Sequence, residues 1–200
     1  MGIVSPGFHG RRRDTAVKLP PGQYLTEDFP VLTAGPTQHV PLEKWEFVIT
    51  TELGQKHSWS WQDLLALPSE TPTADIHCVT KWSKLGTEWQ GVSLDTLLED
   101  VDTAADYALV HAYGGYTTNL PLDDLLDGQA WIVYRYNGDD LRAEHGGPAR
   151  LLVPHLYFWK SAKWISRLEL TAEDRPGFWE RNGYHDRGDP WLEQRYQGDP

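Results

Sequence analysis

Three short apolar-x-x-Leu-Leu segments punctuate this chain: Trp61-Gln62-Asp63-Leu64-Leu65, Leu94-Asp95-Thr96-Leu97-Leu98 and Leu122-Asp123-Asp124-Leu125-Leu126. Each follows a strand-like run, and their unequal spacings and unmatched flanks exclude a solenoid. They predict short amphipathic helices laid over the edge or face of a sheet. Strand material lies around them at residues 45–51, 57–61, 73–79, 107–113, 130–136, 150–153 and 164–170. The run 130–136 is apolar and aromatic throughout, and the Asn137-Gly138 pair after it is a strong hairpin signal. Strands outnumber helices, and the helices are scattered among them. That predicts a mixed α+β domain.

A chain of 200 residues suits one domain with a sizeable core. We take it as one domain over 1–200, with 1–40 an extended Pro- and Gly-rich arm and 176–200 a polar, aromatic tail. Ten Trp and nine Tyr supply large buried areas with polar ends that need partners. The net charge of −11 argues against a nucleic-acid partner and against docking on anionic lipid. One cysteine leaves no internal disulfide. Arg11-Arg12-Arg13 invites a twin-arginine export reading, but no apolar segment follows it, so the expected location is cytoplasmic. No apolar run approaches the roughly eighteen residues of a membrane span.

The lone cysteine, Cys78, stands near the end of the 73–79 strand, before a polar run 81–87 that reads as a loop. A lone cysteine is commonly a small buried hydrophobe. As a thiolate, it is a soft ligand for a thiophilic metal. His77 beside it faces the opposite way on a strand and reads as structural. Further along, Trp159-Lys160-Ser161-Ala162-Lys163 gathers two lysines and a serine, with Arg150 upstream. Such a cluster suits an anionic group, although a solvated Lys/Ser turn has the same composition. His111 and His155 also read as satisfied structural histidines. Thr117, Thr118 and Asn119 read as a donor-rich turn after Gly114-Gly115. No Gly-rich phosphate loop, zinc-spaced cysteine pair or His-Glu-x-x-His is present.

Cys78, Val79 and Trp82, followed by Trp89, Gly91, Val92 and Leu94, resemble the molybdenum-binding segment of the sulfite-oxidase-like molybdopterin oxidoreductases. The later stretch from His145 through Arg150 to Lys163 and Trp164 resembles that family's cofactor-binding strand and phosphate loop. The resemblance is closest to short stand-alone bacterial members and covers nearly the whole chain. It implies a mostly β, layered-sheet molybdopterin-binding domain and a molybdenum–molybdopterin cofactor. It further implies Cys78 as metal ligand and catalytic residue, and His145, Arg150, Lys160, Ser161, Lys163, His111 and Thr117 as cofactor contacts. The family's sulfite oxidases place an arginine shortly after the cysteine, where this chain has Trp82 and Ser83. That departure points away from sulfite and toward reduction of a small oxidised compound such as a sulfoxide. Lys81 and Lys84 are then the candidates for drawing in an anion, and Arg142 or Arg167 the candidates for folding into the site. A small-molecule substrate, a redox partner protein and a monomeric chain complete the expectation. A carrier of the cofactor without turnover is the alternative, and a hydrolase using Cys78 with His111 or His155 has no supporting motif.

Overall fold

The computed structural model describes residues 18–200; Arg11–Arg13 and the first part of the expected arm lie outside them. In chain order, β1 (Tyr24–Leu25), β2 (Glu46–Thr50) and β3 (Lys56–Ser60) precede α1 (Trp61–Ala66). Then come β4 (Thr73–His77), β5 (Trp82–Ser93) and α2 (Leu94–Leu98). The remaining strands are β6 (Tyr107–Ala112), β7 (Thr117–Pro121), β8 (Trp131–Tyr136), β9 (Asp139–Asp140), β10 (Arg150–Leu152) and β11 (Ile165–Thr171). One sheet runs β1-β5-β8-β10, with β4 also on β5 and β9 on β8; the other runs β3-β2-β11-β6-β7. The fold is mostly β, as the resemblance implies, with short helices scattered among the strands.

Phe47 and Ile49 of β2, Ala108 and Val110 of β6 and Leu168 of β11 pack against Val92, Ile132 and Leu151 of the other sheet. Both sheets thus share one core. A second cluster covers the opposite face of the first sheet, where Trp131 and Val133 join Ile76, Cys78, Trp82, Trp89, Leu152 and Phe158. Residues 131–134 of β8 are therefore buried on both faces, which is why that strand reads apolar without alternation. The two helices are short because each only closes a strand end. Ser60 and Asp63 form a reciprocal capping box on α1, and Ser93 accepts from the Thr96 amide at the start of α2. The third Leu-Leu segment is a 3-10 turn, Leu122–Leu125, rather than an α-helix.

Two expected loops are strands. The polar run 81–87 opens β5, whose first half pairs with β4 and β1 and whose second half pairs with β8. Two of its buried positions, Ser83 and Thr87, carry hydroxyl side chains, which hide the alternation. Ser83 bonds to Gln23 and to His77, and Thr87 donates to the Ala74 carbonyl. Thr117–Asn119 belongs to β7, paired with β6, so it is not a turn. Gly91 lies at the register shift in the β5–β8 ladder, and a Cβ there would stand 2.2 Å from the Ile132 carbonyl oxygen. No other residue fits that irregularity. Beyond the strands, Arg187 of the tail grips Asp124 through two hydrogen bonds, and His155 bonds the same carboxylate at 3.0 Å.

Candidate active site

Cys78 is the first residue of a tight turn between β4 and β5. Its carbonyl accepts from Lys81 N and its amide donates to Trp82 O, both at 2.9 Å. Lys81 closes the turn at φ 81, a left-handed conformation uncommon for a side chain of its kind. The Cys78 side chain reaches a cavity of about 420 Å³. Burial pushes the thiol pKa up; the Thr80 hydroxyl, which donates to Sγ at 3.1 Å, and the Arg195 charge act against that rise. His77 turns away, with Nδ1 2.8 Å from Ser83 Oγ and its ring edge-on to Trp191.

Arg150 and Lys163 line the same cavity. The Arg150 side chain is buried and lies 4.1 Å over the Phe158 ring; its N–H groups donate to the carbonyls of His145, Ser161 and Leu151. Lys163 Nζ donates to the carbonyls of Leu32 and Glu144. Neither forms an ion pair with a carboxylate among the described residues. Burial lowers the Arg150 pKa to about 9, and burial together with the Arg150 charge lowers that of Lys163 to about 8. A buried Arg150 beside a half-buried Lys163, with no counter-ion among the described residues of a chain of net charge −11, is costly unless an anion completes the site. A Trp82 indole N–H, also buried and without a partner, faces the same need.

Other expected contacts fall in different places. Ser161 lines the cavity, and its hydroxyl accepts from Val153 N at 2.9 Å. His145 stacks on Phe29 at 4.0 Å and supports Arg150 through its carbonyl; its buried Nδ1 has no partner, and burial lowers its pKa. Its ring lies behind the cavity wall. Lys160 is fully buried away from the cavity, where its ammonium pairs with Glu180 at 2.7 Å and donates to Asn119. That saturation corrects the expectation of a cofactor contact. His111 bonds Glu169 at 3.0 Å on the outer face of β6, and Thr117 sits opposite it on β7. Both lie off the cavity. Lys81, Lys84, Arg142 and Arg167 do not line it either. The far wall is aromatic, with Tyr116, Trp159, Phe178, Trp179 and Tyr184, and residues of the arm close the mouth. Sequence reasoning missed Thr80, Gln23 and Arg195, whose relation to Cys78 is visible only in three dimensions, and Tyr116, which lines the same cavity.

A two-sheet β fold with a cysteine-tipped turn opening on an anion-seeking cavity defines a cofactor-binding redox domain. Residues 34–179 match the oxidoreductase molybdopterin binding domain, and the chain belongs to that family. The class and cofactor expected from the sequence are those of this family. The chain is 45% identical over 192 residues to an uncharacterized oxidoreductase, YuiH, of Bacillus subtilis, covering 94% of this chain and 97% of that protein. It is 32% identical over 135 residues to YedZ1 of Azospira oryzae, which bears the name of a protein-methionine-sulfoxide reductase subunit; 66% of this chain and 51% of that protein are covered. Mouse mitochondrial sulfite oxidase matches at 25% over 205 residues, with 82% of this chain and 37% of that protein covered. This chain therefore spans about half the length of the Azospira relative and little more than a third of the mouse one. Among solved structures, sulfane dehydrogenase SoxCD of Paracoccus pantotrophus shares the fold, with a TM-score of 0.62 and 21% identity over 69% of this chain and 41% of that one. No helix among the described residues is long and apolar enough to cross a membrane.

Proposed function

We propose that this chain is a molybdenum-dependent oxidoreductase in which the Cys78 thiolate ligates the metal and Arg150 and Lys163 hold the anionic part of the pterin. The observation that carries this reading is the pair of cations, Arg150 buried and Lys163 half-buried, unneutralised by any carboxylate among the described residues, in the cavity that Cys78 enters. The donor set fits the group: a soft thiol, two cations and the unpartnered Trp82 indole N–H. When bound, the cofactor supplies a two-electron redox change and oxygen-atom transfer. The residues of this chain bind and orient it. Thr80 steadies Sγ through its hydroxyl, and Trp82, Phe158 and the aromatic wall limit water around the site.

Substrate preference follows from the same inventory. Arg150 and Lys163 are the cationic side chains that line the cavity. With both engaged by the cofactor, a neutral oxide is better accommodated than an oxyanion. Reduction of a sulfoxide, with two electrons and two protons giving a thioether and water, is therefore the favoured reaction, the electrons coming from a redox partner protein. The name of the Azospira relative agrees with that direction. A cytoplasmic location belongs to the same reading, supported by the absence of an apolar run after Arg11–Arg13; cell fractionation checks it. Protein purified from a cofactor-competent host should contain about one molybdenum and one pterin per chain. Steady-state assays with a sulfoxide and an artificial reductant should show turnover. Sulfite oxidation with a Michaelis constant of about a micromolar, at the low end of ordinary values, would overturn the substrate assignment.

A further inference from the structure

The family match covers residues 34–179, yet two side chains from outside that span meet at the Cys78 turn. Arg195, in the C-terminal segment, is only 6% exposed. Its Nη1 donates to the Val79 carbonyl at 2.6 Å, and its Nη2 to the Pro21 carbonyl at 3.1 Å. The guanidinium lies 5.0 Å over the Tyr157 ring, and its nearest carboxylate, Glu193, gives a long contact of 3.5 Å. From the other end of the chain, the Gln23 amide donates to the Cys78 carbonyl at 3.0 Å and accepts from Ser83 Oγ at 3.2 Å. Gly22, at φ +68, lets the arm pass over this contact; a Cβ there would stand 2.9 Å from Glu193 Oε1 and 3.3 Å from Arg195 Nη2.

A four-residue turn with a lysine in the left-handed region holds its shape poorly by itself. Its Cys78 carbonyl already accepts from Lys81, and the Val79 carbonyl points out of the hairpin toward the tail. A guanidinium bound to that carbonyl and to the arm ties three distant segments at one point. Its planar fork suits the task, because two of its nitrogens address two separate carbonyls at once.

We propose that Arg195 is a positioning residue for Cys78: by joining the Val79 carbonyl to the arm at Pro21, the C-terminal segment fixes the turn that carries the thiol into the cavity. The functional meaning rests on Cys78 as metal ligand, but the clamp itself is testable without cofactor. Because Cys78 is the only cysteine, its alkylation by iodoacetamide in cofactor-free protein reports the turn alone. Arg195→Met keeps the apolar stem and removes both donors. Its alkylation rate, read on the high-pH plateau of a rate–pH profile where the thiol is fully ionised in both proteins, should be about tenfold faster than wild type, the low end of what the loss of a charged hydrogen bond gives. Arg195→Lys, able to reach one carbonyl, should fall between the two. Wild-type protein in enough urea to match the stability of Arg195→Met provides the control, and it should alkylate more slowly than that variant. Equal rates in wild type and Arg195→Met, or in that variant and the urea control, overturn the proposal. Should Arg195→Met fail to fold, Arg195→Lys carries the test alone, and a wild-type rate in it is the overturning result. Failure of the cofactor reading is seen separately, as molybdenum bound normally by Cys78→Ser. An unchanged alkylation rate with molybdenum lost in Cys78→Ser removes only the role of Arg195.

Discussion

Burial holds the Lys163 ammonium at a pKa of about 8, below its value of 10.5 in an unfolded chain. Between those two values the unfolded chain binds the extra proton and the folded chain does not. The contribution of Lys163 to stability is therefore least favourable below pH 8 and improves as pH rises toward 10.5. The stability of cofactor-free wild type relative to Lys163→Met should shift in wild type's favour over that window, as urea melts at several pH values will show. Pterin retention should move the opposite way, weakening above pH 8 as the cation is lost. Arg150→Met and Lys163→Ala should each reduce cofactor affinity roughly tenfold to a hundredfold, since a charge-assisted contact is worth about 1.5–3 kcal/mol. Full pterin content after extensive dialysis of both variants contradicts that. Cys78→Ser should keep the fold and lose molybdenum-dependent turnover, because a hydroxyl is a harder and less acidic donor than a thiol. Wild-type turnover by it with an artificial donor removes the ligand assignment.

At the scale of elements, β5 does more than the sequence pattern suggests. Its first half carries the Cys78 hairpin and its second half anchors on β8, so one strand links the site to the main core. No part of that strand was read from the sequence; in its first half the buried hydroxyls of Ser83 and Thr87 hide the alternation, although Trp82, Trp89 and Val92 meet the cores. The capping box on α1 was equally unread, although Ser60 and Asp63 stand at its proper spacing. Ser60→Ala should cost about 1 kcal/mol of stability, measured by urea melts, with no effect on cofactor content. A different outcome is expected at the end of the chain segment that builds the aromatic wall. Glu180 anchors it through Lys160, Thr118 and the Trp159 indole N–H. Lys160→Met strands a buried carboxylate and should cost about 3–5 kcal/mol. A loss below about 1 kcal/mol would show that the carboxylate finds protons or water instead.

Over the whole molecule, the arm, the Cys78 turn, the 145–164 segment and the tail converge on one cavity although their residues are far apart in the chain. Local pattern determined the strand-rich class, the Asn137-Gly138 hairpin and the Ser93 helix start, because periodicity and turn chemistry act over a few residues. The two motifs containing Cys78 and Arg150–Lys163 marked where chemistry would be sought. Which lysine met the cavity was a tertiary decision. Lys160 and Lys163 differ by three positions, yet one is neutralised by Glu180 and the other lies beside Arg150 with carbonyls alone for partners. A sequence window registers residue type and spacing, whereas desolvation and the identity of the nearest charge depend on segments brought together from elsewhere in the chain. For that reason Arg195, the residue farthest along the chain from Cys78 among those that act on it, became visible only once the sheets and the tail were folded together.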